Sequence, residues 1–131
     1  MSGRLTTHVL DLSQGLPATG MVLQLWRLEG RQGKLLLEAV TNADGRLNAP
    51  LLEGAQMEAG SYELLFMAGD YFRSIQSRLG VDATSSEDVM ESETPFFLEQ
   101  IPIRFKITNV TDHYHVPLLV APGGYSTYRG S

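Results

Sequence analysis

Three histidines, one arginine in a turn and an aromatic terminal segment are the parts of this sequence best suited to chemistry. They are His8 in "TTHVLD", Arg46 in "TNADGRL", His113 and His115 in "HYHVPLL", and the last seven residues "YSTYRGS", Tyr125 to Ser131. An imidazole titrates near pH 6.5, so at neutral pH it can take a proton from water or return one to a leaving group. A guanidinium keeps its charge and can hold a carbonyl or enolate oxygen through two hydrogen bonds. Each signal also has a plain structural reading. An imidazole on a strand face can satisfy its nitrogens on nearby carbonyls, and Asp44-Gly45 can be a strand corner that carries an incidental Arg46. His113-x-His115 could share a metal ion from one strand face. The chain has no Cys and no evident third ligand beyond His8, so metal-free, cofactor-free chemistry is the expectation.

The elements that must position these residues are strands. Apolar and polar residues alternate most clearly in "IPIRFKIT", where Ile101, Ile103, Phe105 and Ile107 share one face and Arg104, Lys106 and Thr108 the other. "LTTHVLD", "MVLQLWRLE", "KLLLEAVT", "SYELLFMAG" and "HYHVPLLVA" read the same way, and "EGRQGK", "NADGR" and "APGG" supply turn chemistry between them. Six or seven short strands at this spacing predict an all-β, antiparallel β-sandwich. Period two sets His8 and Leu10 opposite Thr7 and Val9, and sets His113, His115, Pro117 and Leu119 opposite Tyr114, Val116 and Leu118. One segment departs from the pattern. "DYFRSIQSRLG" predicts a short helix, with Asp70 as N-cap, Phe72, Ile75 and Leu79 on one face and Gly80 as the stop. The acidic, Ser/Thr-rich stretch Val81–Pro95 reads as an exposed loop.

Composition limits the partners. The 131 residues, 43% of them hydrophobic, suffice for one domain spanning 1–131 and fall short of two ordinary ones. A formal charge of −5 argues against a phosphate backbone or an anionic membrane as partner. The sequence shows no 18-residue apolar run and no basic-then-apolar leader in "MSGRLTTHVLDLSQG", so a soluble cytoplasmic protein is expected.

Taken together, "HVLD" at His8–Asp11, "TNADGRL" at Thr41–Leu47, "HYHVPLL" at His113–Leu119 and the terminal "YSTYRGS" occur in an order and spacing that resemble the 5-hydroxyisourate hydrolases, the transthyretin-like enzymes of purine breakdown. Gly15-Leu16-Pro17-Ala18 and "LWRLEG" at Leu25–Gly30 extend the resemblance over essentially the whole chain, and Tyr128-Arg129-Gly130-Ser131 is its most specific element. The chain departs from the family pattern in "VAPGGYSTYRGS", in "PFFLEQIPI" and in the length of the acidic loop.

The resemblance implies a transthyretin/prealbumin-like sandwich assembled as a homotetramer, a dimer of dimers, with the last strand lining sites between subunits. It implies hydrolysis of 5-hydroxyisourate to 2-oxo-4-hydroxy-4-carboxy-5-ureidoimidazoline in urate degradation. His8, Arg46 and His115 would be the catalytic set, with either imidazole as the base. Tyr128, Ser126, Arg129, Gly130 and Ser131 would bind the substrate, and Arg129 could equally serve in a terminal salt bridge. Two other classes share the pattern in part: a non-catalytic carrier of small ligands, and a β-sandwich accessory module in which "TNADGR" is only a turn.

Overall fold

A computed structural model describes residues 2–79 and 95–130. Among these residues nine strands form two sheets, with one α-helix between β6 and β7: β1 Arg4–Asp11, β2 Leu16–Pro17, β3 Val22–Glu29, β4 Gln32–Val40, β5 Leu52–Glu53, β6 Gly60–Phe66, α1 Ala68–Leu79, β7 Ile101–Ile107, β8 His113–Ala121 and β9 Gly124–Thr127. One sheet runs β2-β1-β8-β9, with β5 also on β1, and the other runs β4-β3-β6-β7. The expected sandwich with one short helix is therefore observed. Its pairings are antiparallel except at one place: β1 and β8 run parallel.

The inward set of each strand follows the alternation in the sequence. Leu5, Thr7, Val9 and Asp11 of β1 and Tyr114, Val116, Leu118 and Val120 of β8 are buried. They meet Leu23 and Leu25 of β3, Tyr62, Leu64 and Phe66 of β6, and Ile101, Ile103 and Ile107 of β7 in one core. Thr7 keeps its hydroxyl satisfied there by donating to the Val116 carbonyl at 2.7 Å. The consecutive leucines of β4 do not alternate cleanly, because a bulge shifts the register between Leu25–Leu37 and Trp26–Leu35.

Helix α1 starts at Ala68, two residues before the expected cap, so Asp70 lies in its first turn. A carboxylate there suits the positive end of the helix dipole, and Asp70 also accepts a 2.6 Å bond from Arg73. Tyr71 and Phe72 are buried and Ile75 packs against the core. The expected stop at Gly80 and the acidic loop up to residue 94 lie outside the described residues. On the far side of that segment, Arg73 grips both carboxylate oxygens of Glu99 at 2.9 Å. With a further bond from the Phe96 N–H, this holds the Glu99 carboxyl down to about 2.

One buried carboxylate ties the helix to the sheet. Asp11 at the end of β1 is only 1% exposed. It accepts bonds from the Ser13 N–H and hydroxyl at 2.9 and 2.5 Å, from Gln14 Nε2 at 2.8 Å and from the Tyr71 hydroxyl at 2.7 Å. Burial alone would raise its pKa, but the bonds from Ser13, Gln14 and Tyr71 outweigh it and hold the group below its ordinary 3.8. Tyr71→Phe should cost about 1–3 kcal/mol in urea unfolding at neutral pH. A depressed carboxylate stabilises the fold above its unfolded pKa and loses that contribution in acid, so the gap to wild type should shrink as pH falls below 3.8. A gap that is constant with pH would show that the Tyr71–Asp11 bond does not couple to the charge.

Candidate active site

The site grows from the two long edges of β1. Along one edge β5 pairs with Arg4 and Leu5 and β2 pairs with Leu10 and Asp11. The "TNADGR" turn fills the gap between them: Val9 N–H donates to the Gly45 carbonyl at 2.8 Å, and His8 forms a short antiparallel bridge with Arg46. The turn is therefore docked against a strand rather than closing a hairpin. Asn42 builds it, its side-chain oxygen accepting from the N–H groups of Asp44 at 2.9 Å and Arg46 at 3.1 Å. Gly45 sits at φ +75°, and a Cβ there would meet the Val9 carbonyl oxygen at 2.4 Å, so only glycine lets the turn approach so closely.

Along the other edge the parallel register sets Thr6 beside His115 and His8 beside Pro117. The outward face of the two strands carries all three imidazoles. Ring centroids of His8 and His115 are 6.5 Å apart, and those of His113 and His115 6.2 Å. Thr6 Oγ1 lies between two of the rings, 2.9 Å from His113 Nε2 and 2.8 Å from His115 Nδ1. Beside Thr6 and Arg46 a cleft of about 150 Å³ opens, walled by Leu47, Ala49 and Pro50.

Burial and positive neighbours keep these imidazoles neutral. The pKa of His115 is lowered from 6.5 by burial, then by Arg46, His113 and His8. That of His8 is lowered by burial and by Arg46, against a smaller opposing pull from the Asp44 backbone. That of His113 is lowered by burial and by Arg4 and Arg129. Low-pKa imidazoles beside a guanidinium suit abstraction of a proton next to a place where negative charge develops.

The terminal segment reaches the same face by an interrupted ladder. β9 pairs with β8 from Gly124–Ala121 to Thr127–Leu118. Pro117 comes next and has no N–H to offer; its carbonyl is taken instead by the Thr127 hydroxyl at 2.8 Å. The chain rejoins β8 at Gly130, whose N–H donates to the His115 carbonyl at 2.7 Å. A Cβ on Gly130 would lie 2.6 Å from His115 Cδ2.

The structure thus brings His8, Arg46, His115 and Gly130 together. Ser126 pairs with Leu119 further along the ladder. Tyr128 is 59% exposed and borders a second cleft with Ile103, Phe105 and Tyr114. Arg129 lies over the Tyr114 ring at 4.2 Å, 3.7 Å from Asp112 and 3.3 Å from the His113 carbonyl, so it makes the terminal ion pair and also lines the cleft that Tyr128 borders. Ser131 lies outside the described residues. Thr6 and Asn42 are site residues that sequence reasoning missed, and His113, weighed there for a metal and otherwise left as structural or exposed, stands beside them. Period two would have found Thr6, since it shares its strand face with His8.

A model of the HIUase/Transthyretin family matches residues 5–130. The chain belongs to that family. A 5-hydroxyisourate hydrolase of Halalkalibacterium halodurans is 52% identical over the full length of both chains. Among solved structures, the 5-hydroxyisourate hydrolase of Klebsiella pneumoniae is 39% identical, covers all of both chains and superposes with a TM-score of 0.72. An (S)-allantoin synthase reaches 0.80 at 45% identity; 99% of this chain matches 44% of that longer one.

Gly130→Ala should therefore push the His115 ring aside. Expected are a kcat about 10²-fold lower and a melting temperature within a few degrees of wild type. Unchanged turnover would show that the ring position tolerates the displacement.

Proposed function

We propose that this chain hydrolyses 5-hydroxyisourate, with His115 as general base and Arg46 as the group that holds developing negative charge. That the chain is a 5-hydroxyisourate hydrolase rests on relatives of that name that match it from end to end. The observation that carries the mechanism is the pair of neutral imidazoles, with ring centroids 6.5 Å apart, in the field of one guanidinium. His115 is favoured as base because Thr6 engages its Nδ1, which leaves Nε2 as the nitrogen available to water.

In this reading His115 Nε2 takes one proton from a water as its oxygen attacks a ring carbonyl. The tetrahedral oxyanion that forms is held by Arg46. When it collapses, the acyl–nitrogen bond breaks, the leaving nitrogen receives the proton that His115 took, and the carboxylic acid formed releases the water's second proton to solvent to become a carboxylate. His8 orients the water or relays the proton from His115 to the leaving nitrogen. Gly130 leaves room beside His115 for a flat ring, and Tyr128, Ser126 and Ser131 complete the binding surface. The product is the carboxylated ureidoimidazoline of urate degradation. The reaction proceeds in the cytoplasm, without a cofactor.

The cleft beside Thr6 and Arg46 is about 150 Å³, well below the roughly 300–1,000 Å³ of sites that enclose a small molecule. This supports a site completed by a second subunit, and hence the homotetramer built as a dimer of dimers. Light scattering behind a size-exclusion column should return the mass of four chains; a monomer that turns over substrate would remove the shared-site reading.

The deciding experiment follows the ultraviolet decay of 5-hydroxyisourate made in place by urate oxidase. Added protein should speed the decay, Arg46→Ala should abolish the gain, and His115→Ala should lower kcat by about 10²–10⁴-fold. Decay no faster than the spontaneous rate would end the hydrolase reading. Because the pKa of His115 is lowered, the base stays neutral to more acid pH than a free imidazole. Activity should fall only as pH drops through a midpoint below 6.5. A midpoint in kcat/KM at or above 6.5 would exclude His115 in this environment as the base.

A further inference from the structure

We propose that Thr6 and His113 are positioning residues that fix the tautomer of His115, so that its Nε2 presents a lone pair to the attacking water. The inference rests on the reading of His115 as the base. Its ground is the geometry at Thr6 Oγ1, which stands 2.8 Å from His115 Nδ1 and 2.9 Å from His113 Nε2.

A threonine hydroxyl has one proton to give and two lone pairs to receive. Oγ1 of Thr6 has no further partner among the described residues, and when its proton goes to one of the two rings the other ring donates to it. Two closed arrangements satisfy all three groups. In the first, His113 Nε2–H donates to Thr6, Thr6 donates to His115 Nδ1, and the proton of a neutral His115 sits on Nε2, where no lone pair is left for water. In the second, His115 Nδ1–H donates to Thr6 and Thr6 donates to His113 Nε2. His115 Nε2 is then a bare acceptor.

General-base work selects the second arrangement. It requires His113 to be neutral with its proton on Nδ1, because a protonated His113 carries N–H on both nitrogens, can only donate to Thr6, and leaves the hydroxyl proton free for His115 Nδ1. The surroundings of His113 favour the neutral form: Arg4 on β1 and Arg129 after β9 are the charges that act on it. The carboxylate of Asp112, its neighbour in the chain, lies 3.7 Å from Arg129. His113 thus acts on catalysis through Thr6, with no contact to substrate, by accepting the one proton that would otherwise block His115.

Thr6→Val keeps the shape and removes the hydroxyl. It should lower kcat by about 10²-fold, the scale of a reacting group held out of place, with KM little changed. Thr6→Ser restores the hydroxyl and should recover most of the loss. His113→Phe removes the acceptor, lets Thr6 donate to His115 Nδ1, and should lower kcat similarly. The double variant Thr6→Val/His113→Phe should fall no further than the worse single one, since both break one chain of bonds. The direct readout is the imidazole ¹⁵N shifts of the full-length protein. They should show His115 protonated on Nδ1 in wild type and on Nε2 in His113→Phe. Wild-type His115 protonated on Nε2, or Thr6→Val and His113→Phe that turn over at the wild-type rate, would overturn the proposal. A wild-type protein with no turnover would overturn the hydrolase reading instead, and the ¹⁵N shifts would still report the tautomer.

Discussion

The parallel ladder between β1 and β8 is the constraint on which the rest of the site depends. Its register sets Thr6 beside His115 and His8 beside Pro117, and a slip of one residue would send every outward imidazole into the core. The inner face resists that slip. Leu5, Val9, Leu118 and Val120 are fully buried, and the Thr7 hydroxyl is spent on the Val116 carbonyl. The apolar interior therefore fixes the geometry of a polar exterior that it never touches.

The same ladder explains how Arg46 arrives. β2 and β5 cover the ends of one edge of β1 and leave its middle open. A strand there would bring alternating side chains, whereas a turn closed by Asn42 brings a single guanidinium and two backbone contacts. The resulting field acts on His8 and His115 together, so the pair shares one electrostatic environment although the residues are far apart in sequence.

Much of this was legible in the residues. Alternation assigned the faces of β1, β7 and β8 correctly, because each has one face in the core and one outside it. The helix was legible from Phe72 and Ile75, but its start was not: the Asp70 signal came from a residue that serves the first turn and an ion pair instead of the cap. The parallel sense of β1 and β8 could not be read, since local pattern says nothing of which distant strands meet. For that reason the link from His113 through Thr6 to His115 stayed hidden. Alternation puts each residue on an outward face, and only the register makes Thr6 a partner of both rings. Arg129 was named, but its surroundings were not legible: a long flexible cation can serve either face, and only the fold sets it over the Tyr114 ring and beside Asp112.

The contact between Thr6 and His115 spans 109 positions of the chain. During synthesis β1 emerges early and has only β2, β5 and the "TNADGR" turn to pair with, while its other edge waits for β8. Closing so long a loop costs entropy before any contact repays it, which makes non-local pairing slow. Assembly of the proton-transfer face is therefore a late event in folding, and no partly synthesised chain that lacks β8 can hold it. Until then β1 presents that edge unpaired to any neighbouring chain, because the short strands and the turn cover only its other side.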